Sequence, residues 1–353
     1  MDQAIPRQRV LIAGAGLGGL TAALALTKRG YKVSVFEQAP ELVEVGAGIQ
    51  LGPNATRVLD AVGVLEDIRK LAVEPTHAQM RLFDTGEILV EMPQSGVFEE
   101  IFGAPYLHIH RADLHSILLR HVLDQDPEAV VFGATVERFG ESAANVSVHL
   151  ADGRSYSGDA LIGADGVKSV VRAQVHGEEE PNWTGNVAWR AVVPRNKLPE
   201  DFMDKVSCAF VGPHKHMGIY YLREQQLVNM VGVVECDPDW RTESWTAKAP
   251  WEELRADYAG WHETVQTLIN AVDKDECYRW ALYNRLPIQN WSTDRATLLG
   301  DAAHATLPFL ASGAAMAIED AWVLMRCIEE DDIPSALQRY QRNRIQRTAA
   351  IQT

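Results

Sequence analysis

Apolar positions along the chain change their spacing three times. Near the N-terminus the continuous run Val10 to Ala13 is followed by a glycine-rich break. An alanine- and leucine-rich stretch then reaches Gly30, and a second apolar-rich run spans Lys32 to Phe36. Short apolar runs bounded by glycine suit buried strands, and the longer stretch between them suits a helix. The pattern predicts β–α–β. Further along, Val146, Val148 and Leu150 alternate with polar residues up to Asp152-Gly153, which predicts a hairpin. ALIGADG, from Ala160 to Gly166, reads as a buried strand running into a glycine turn.

From about Ala173 to Leu286 the composition shifts toward tryptophan and bulky strand-like runs, HMGIYYL at His216–Leu222 and LVNMVGVV at Leu227–Val234. Aromatic strands of this kind suit a half-buried sheet over an apolar cavity. WEELRADYAGWHETVQTLINAV follows, with the periodicity of one amphipathic helix. From Pro287 the chain returns to strand, glycine turn and alanine-rich helix in RATLLGDAAHATLPFLASGAAMAIEDA. The expected architecture is α/β. A Rossmann-like domain built from residues 1–172 and 287–353 is split by an inserted β-rich substrate domain over 173–286.

Charge and composition narrow the partners. The 353 residues are 46% apolar and 23% charged, as in an ordinary globular protein, and carry a net charge of −15. That balance argues against nucleic acid and anionic membranes. There is no apolar leader in MDQAIPRQR and no apolar run of bilayer length, so a cytoplasmic protein is expected. Cys208, Cys236, Cys277 and Cys327 are widely spaced, which suits neither a zinc site nor a disulfide framework. No metal is expected. The chain stops within a helical pattern, RIQRTAAIQT, which suggests a continuation beyond Thr353.

Candidate chemistry begins at the first turn. Gly14, Gly16 and Gly19 follow a strand and open a helix. In a dinucleotide grip the first glycine makes the tight turn, the second admits a pyrophosphate, and the third lets helix and strand pack closely. Glu37, at the end of the second strand, is placed to accept hydrogen bonds from a ribose, and its charge disfavours a 2′-phosphate. NAD and FAD both remain open at this point. Asp165-Gly166 and Gly300-Asp301 also stand at strand ends, where ligands gather in α/β sheets. The N–H groups of Ser312 to Ala315, at a helix start, suit negative charge on a ring system such as a reduced flavin.

GAGLGG with Glu37, the ADG around Asp165, and GDAAH followed by PFLASGAAMAIEDA resemble the three fingerprints of class A flavoprotein aromatic hydroxylases. These are the FAD-dependent monooxygenases related to para-hydroxybenzoate hydroxylase, with an FAD-binding domain of the GR2 type. AWR at Ala188–Arg190, HRADLH at His110–His115 and the GAGIQLGPN loop look most like one branch of them. That branch holds salicylate hydroxylase, 3-hydroxybenzoate 6-hydroxylase and 6-hydroxynicotinate 3-monooxygenase. The resemblance implies that Glu37 holds the adenosine ribose, Arg111 reaches the ribityl or pyrophosphate part, and Asp301 binds between ribityl and phosphates. Pro308 would lie against the isoalloxazine, with Gly313, Ala314 and Ala315 presenting N–H groups to its pyrimidine edge. Gly48 would allow close approach to the flavin, Val136 would touch the adenine through its backbone, and Asp165 would support either FAD or the nicotinamide cofactor. The family has no separate NAD(P)H domain, so NADH or NADPH would visit transiently.

The implied function is hydroxylation of a salicylate-like phenolic acid with NAD(P)H and O2 through a flavin hydroperoxide. Phenolates are better nucleophiles than phenols, so a base near the phenol accelerates transfer. His216, Gly218 and Tyr220 share one face of a strand. By resemblance His216 is the phenol-activating base and Tyr220 its orienting partner, with His214 a rival two residues earlier. Arg190 is a candidate for a substrate carboxylate and Phe309 for the pocket wall, whereas Tyr106, Tyr221 and His304 suit packing roles. The sequence departs from its branch at Ala305, often proline in relatives. It departs also at Phe309, which replaces glutamine or histidine, and at Gln50, which replaces a histidine. Two alternatives stand: a monooxygenase or epoxidase acting on a non-benzoate natural product, and a non-catalytic FAD-binding sensor. A monomer or homodimer is expected.

Overall fold

The computed structural model describes residues 8–41, 47–235 and 247–352. Cys236 and the Val45-Gly46 part of the glycine loop lie outside them. The chain opens with β1 (Arg9–Ala13), α1 (Leu17–Thr27), β2 (Lys32–Phe36) and β3 (Gly48–Leu51). Then come α2 (Pro53–Ala61), α3 (Leu65–Arg69), β4 (His77–Leu82), β5 (Ile88–Pro93) and α4 (Val97–Phe102). β6 (Leu107–His110), α5 (Arg111–Gln125) and β7 (Val130–Val131) follow. They lead to β8 (Val136–Glu141), β9 (Val146–Leu150), β10 (Ser155–Gly158), β11 (Ala160–Gly163) and α6 (Val170–His176). The aromatic-rich part holds β12 (Asn182–Pro194), β13 (Ser207–Gly212), β14 (Lys215–Leu222), β15 (Leu227–Glu235), α7 (Trp251–Asp257), α8 (Glu263–Ala271) and β16 (Tyr278–Asn284). The chain closes with β17 (Ala296–Leu298), α9 (Asp301–His304), α10 (Gly313–Glu330) and α11 (Ile333–Gln352).

β17, β11, β1, β2 and β7 form one parallel sheet in that order. A late strand therefore completes an early sheet, as the return of the strand-turn-helix pattern predicts. β1 and β11 are apolar on both faces because helices cover both, and the largest core cluster surrounds them. The predicted hairpin is β9–β10, joined through Asp152-Gly153.

The second sheet has seven strands in the order β16-β12-β15-β14-β13-β4-β5. It recruits β4 and β5 from residues 77–93, within the segment expected to belong to the first domain. β4 pairs in parallel with β13, Ser207 opposite Ala78. The inserted sheet is thus assembled from two excursions of the chain. Its outer face, with Trp189, Met217, Ile219, Tyr221 and Met230, is packed under α7 and α8. The single amphipathic helix predicted there is two helices. Gly260 takes φ +79 between them, and the His262 side chain caps the second by accepting from Thr264 N–H. The sheet's other face turns toward the first domain. The turn after β14 is tied there by Arg223, which makes two hydrogen bonds to the Asp113 carboxylate of α5 at 2.8 and 2.7 Å. Among the described residues no helix is long and apolar enough to cross a membrane.

Candidate active site

The glycine turn is built as the sequence requires. Gly14 has φ +99, and a Cβ there would lie 2.3 Å from the carbonyl oxygen of Ala164. A Cβ on Gly19 would lie 2.1 Å from the Gly14 oxygen, so helix and strand touch backbone to backbone. At Gly16 a Cβ would meet nothing within 4 Å, leaving the N-terminus of α1 open to a phosphate-bearing ligand. Ala15 braces the loop through both its polar groups. Its N–H donates to Glu37 Oε2 at 3.0 Å, and its carbonyl accepts from His115 Nε2 at 2.6 Å. Glu37 Oε1 also accepts from Ala39 N–H at 2.9 Å, and the carboxylate keeps further lone pairs for a ribose hydroxyl. Val136 starts β8, two residues after Ala134, whose N–H donates to the Glu37 carbonyl.

Arg111 opens α5 and Asp301 opens α9. Both side chains are solvent-accessible yet densely surrounded by protein, the combination that a concave wall produces. Burial pulls the Arg111 guanidinium down and Asp301 opposes it, while burial pushes the Asp301 carboxyl up against the charges of His304 and Arg111. Arg111 also lies near enough to His115, which holds the glycine turn through the Ala15 carbonyl, to help lower its pKa. Asp165 behaves differently. Its carboxylate accepts from Ser169 Oγ at 2.5 Å and from Val170 and Val171 N–H at 2.8 and 3.2 Å, so it fastens the start of α6. Its backbone lies against Gly14, so Asp165 also packs on the glycine turn. An open helix N-terminus, the Glu37 carboxylate beside it and the Arg111–Asp301 pair are of the right chemistry for the phosphates and sugar hydroxyls of FAD.

Pro308 and Phe309 form a single helical turn ahead of α10, whose 18 residues begin at Gly313 with no acidic residue in the first turn. Gly313 and Ala314 are half-buried and Ala315 is buried. This loop leans on the second sheet, where Leu307 packs against Ala188, Val233, Trp280 and Leu282. It brings Phe309 to His216, with ring centroids 5.5 Å apart and edge to face. Behind the loop His304 is sealed in the core. Its Nε2 bonds Asp320 Oδ2 at 2.5 Å, and Arg344 bonds the same carboxylate at 2.5 Å, so its role is structural. Burial works against the protonated imidazole there, but the Asp320 charge outweighs it and raises the pKa.

On the sheet face, His216, Gly218 and Tyr220 project together from β14 as predicted. Residues opposite one another on neighbouring strands share a face. Gly218 opposes Val231, and Val231 opposes Arg190, so Arg190 belongs to this face too. A Cβ on Gly218 would meet only the Val231 oxygen, at 3.9 Å, leaving room between the flanking side chains. His216 is half-buried, and burial lowers its pKa, so it is a neutral proton acceptor at pH 7. Tyr220 is buried, with its phenol pKa raised far above the ordinary value by desolvation. Arg190 is buried, with its guanidinium 5.3 Å from the Tyr278 ring and 5.5 Å from the Trp280 ring. Burial lowers its pKa and Arg111 nearby lowers it further. His214 is no rival: it sits in the turn before β14 with φ +58 and pairs with Glu235 at 2.6 Å in solvent. Tyr221 points to the other face and donates to the Met203 carbonyl.

Sequence reasoning missed His108. It lies in β6, fully buried, with its ring 4.5 Å from that of Tyr220, and neither ring nitrogen has a hydrogen-bond partner. Burial pushes its pKa down to about 3. Nothing in LHIHRADLH distinguishes this histidine from its neighbours, because its environment comes from strands far away in sequence. Folded His108 stays neutral while unfolded His108 titrates at about 6.5. The unfolded chain therefore binds more protons as pH falls below that value, and stability drops by roughly 2 kcal/mol by pH 5. Urea unfolding of His108→Phe should show a flatter acid slope than the parent protein. Parallel slopes would contradict the assignment.

A family model described as an FAD binding domain matches residues 7–353. The chain is 40% identical over 345 residues to 3-hydroxybenzoate 6-hydroxylase of Polaromonas naphthalenivorans (strain CJ2), covering 97% of this chain and 85% of that protein. It is 34% identical to 6-hydroxynicotinate 3-monooxygenase of Pseudomonas fluorescens, covering 98% and 89%. Among solved structures, Klebsiella pneumoniae HpxO complexed with FAD and uric acid superposes with a TM-score of 0.87 at 29% identity, covering 98% of this chain and 86% of that one.

Proposed function

The chain belongs to the FAD binding domain family, and from that premise we propose that it is an NAD(P)H-dependent flavin monooxygenase hydroxylating a phenolic aromatic acid. The observation that carries this reading is the face of β14. A neutral His216 and a buried Tyr220 flank the space over Gly218, and the Pro308–Phe309 loop closes over it. Bound FAD would accept electrons from NADH or NADPH and deliver one atom of O2 to the ring. Gly14, Gly16, Gly19, Glu37, Val136, Arg111 and Asp301 would hold it, with Asp165 bracing the turn. Gly48, Pro308 and the N–H groups of Gly313, Ala314 and Ala315 would frame its ring.

The protein's own contribution is to position and polarise the substrate. His216 draws the phenol proton and raises electron density on the ring, Tyr220 orients the phenol, and Phe309 excludes water from one edge. Arg190 balances a carboxylate from the far side of Gly218. The supply of reduced nicotinamide cofactor suits a cytoplasmic enzyme, as a monomer or homodimer. The relatives' names favour hydroxybenzoates and hydroxynicotinates. One observation favours a second reading, a fused heteroaromatic substrate: the apolar Phe309 beside His216, together with the uric acid complex of HpxO. A panel of hydroxylated benzoates, hydroxynicotinates and urate, scored by stimulated NADH or NADPH oxidation with product identified by mass and NMR, separates the two. FAD binding with no stimulated oxygen uptake on any member would sink both and leave a non-catalytic binding protein.

A further inference from the structure

The register of the second sheet lines up one row of residues across the cleft. Arg190 of β12 opposes Val231 of β15, which opposes Gly218 of β14. Beyond Gly218 the row runs through Ala209 of β13 and Met80 of β4 to Val90 of β5. Opposed residues share a face, so the row is one strip, with a buried guanidinium at one end and exposed apolar side chains at the other. With strands about 4.8 Å apart, Met80 stands roughly 10 Å from Gly218 and Val90 roughly 14 Å. The flanking rows end alike, at Leu82 on the His216 side and at Met92 on the Tyr220 side. From β13 outward none of the residues that the three rows cross is charged, in a chain that is 23% charged. The two ends differ in cover. Over β12, β15 and β16 the face is packed by Leu307, just ahead of the Pro308–Phe309 turn. Toward the other edge it stays open: Gly218 and Ala209 are half-buried, and Met80 and Val90 are 43% and 56% exposed. The alternate residues of β13, Cys208 and Phe210, are buried in the core on the opposite face, so the opening belongs to the cleft side.

Exposed apolar residues gathered in this way mark a binding surface. A protein strand added along β5 is not the occupant. The ladder between β4 and β5 is irregular after Met80, and β5 ends in Pro93, two features that blunt a sheet edge. What the strip adjoins without a break is the space over Gly218. We propose that it is a subsite for an apolar extension of the substrate, an alkyl chain carried on the ring edge opposite the carboxylate. The carboxylate lies toward Arg190, the ring over Gly218, and the chain over Ala209 onto Met80 and Val90. This inference rests on the reading of the β14 face as the substrate site, and it sets the substrate's direction along the row.

Binding of 3-hydroxybenzoate and its 4-methyl, 4-butyl and 4-octyl homologues tests it. Flavin absorbance of the FAD-loaded protein, without reductant, gives the dissociation constants. The 4-position lies across the ring from the carboxylate. A methylene laid on a half-open apolar surface gains about half of full burial, or about 2-fold in affinity. The octyl acid should therefore bind about 10-fold tighter than the butyl acid. Met80→Asp should abolish that gain while leaving 3-hydroxybenzoate itself within ~2-fold of its parent constant, because the new charge meets only the chain. Val90→Asp, farther out on the exposed edge, should cut the octyl gain and spare the butyl acid. It keeps the comparison should Met80→Asp not fold. Constants that do not fall with chain length would overturn the proposal, as would a gain that survives both substitutions. Failure of 3-hydroxybenzoate and every homologue to bind the parent protein would instead remove the reading of the β14 face, and the subsite with it.

Discussion

His216→Ala should lower the rate of ring hydroxylation by about 10²–10⁴-fold while leaving FAD content and folding intact. Two features set the direction. The imidazole is half-buried at the edge of the cleft, so its loss opens space toward Phe309 and leaves the packed core under α7 and α8 untouched. Burial also lowers its pKa, which keeps it neutral, and therefore able to accept a proton, to a pH below the ordinary value of about 6.5. The parent enzyme should hold a rate plateau through neutrality and lose activity on acidification only as His216 becomes protonated. In the alanine variant that acid limb should vanish, and the rate should climb with pH as the substrate phenol ionises unaided. Profiles of kcat from pH 5 to 9 decide the matter. Two curves of the same shape, merely displaced, would mean that His216 shapes the pocket without handling the proton.

The parts of the site that sequence alone makes legible are those where backbone geometry dictates residue type. Gly14 and Gly19 are required by contacts that no side chain tolerates, and Gly16 by open space, so the three are recognisable from spacing. The face shared by His216, Gly218 and Tyr220 follows from strand alternation, which needs no knowledge of the partner strands. What escapes is long-range. β4 joins the second sheet by parallel pairing with β13 across more than a hundred residues, and its neighbour β5 is exposed along its whole length, so neither carries a burial pattern to read. The amphipathic stretch after Trp251 keeps its apolar rhythm through Gly260, so periodicity hides a break that the positive φ enforces. Asp165 looks like a ligand-facing acid from its place at a strand end. Its carboxylate is spent on Ser169 and on the first N–H groups of α6, a use that only the local fold shows.

The same glycine geometry separates folding from cofactor binding, because Gly14 and Gly16 should fail in different ways. At Gly14 an alanine would need φ +99 and would drive its methyl to within 2.3 Å of the Ala164 oxygen and 2.8 Å of its carbonyl carbon. Both are backbone atoms of the loop that follows β11, so neither can swing aside. Left-handed strain of about 1–2 kcal/mol adds to that clash, and Gly14→Ala should cost the apoprotein about 3 kcal/mol or more in urea unfolding. Gly16 has φ −69 and ψ 179, a conformation open to any residue, with nothing near its missing side chain. Gly16→Val should therefore leave the apoprotein within ~1 kcal/mol of the parent. Its side chain would instead stand before the first N–H groups of α1, where phosphate oxygens would be received. Losing one or two charge-assisted hydrogen bonds there should weaken FAD binding by about 100-fold, measured by quenching of flavin fluorescence. If Gly16→Val destabilised the apoprotein as much as Gly14→Ala and bound FAD normally, the open end of α1 would not be where the cofactor's phosphates lie.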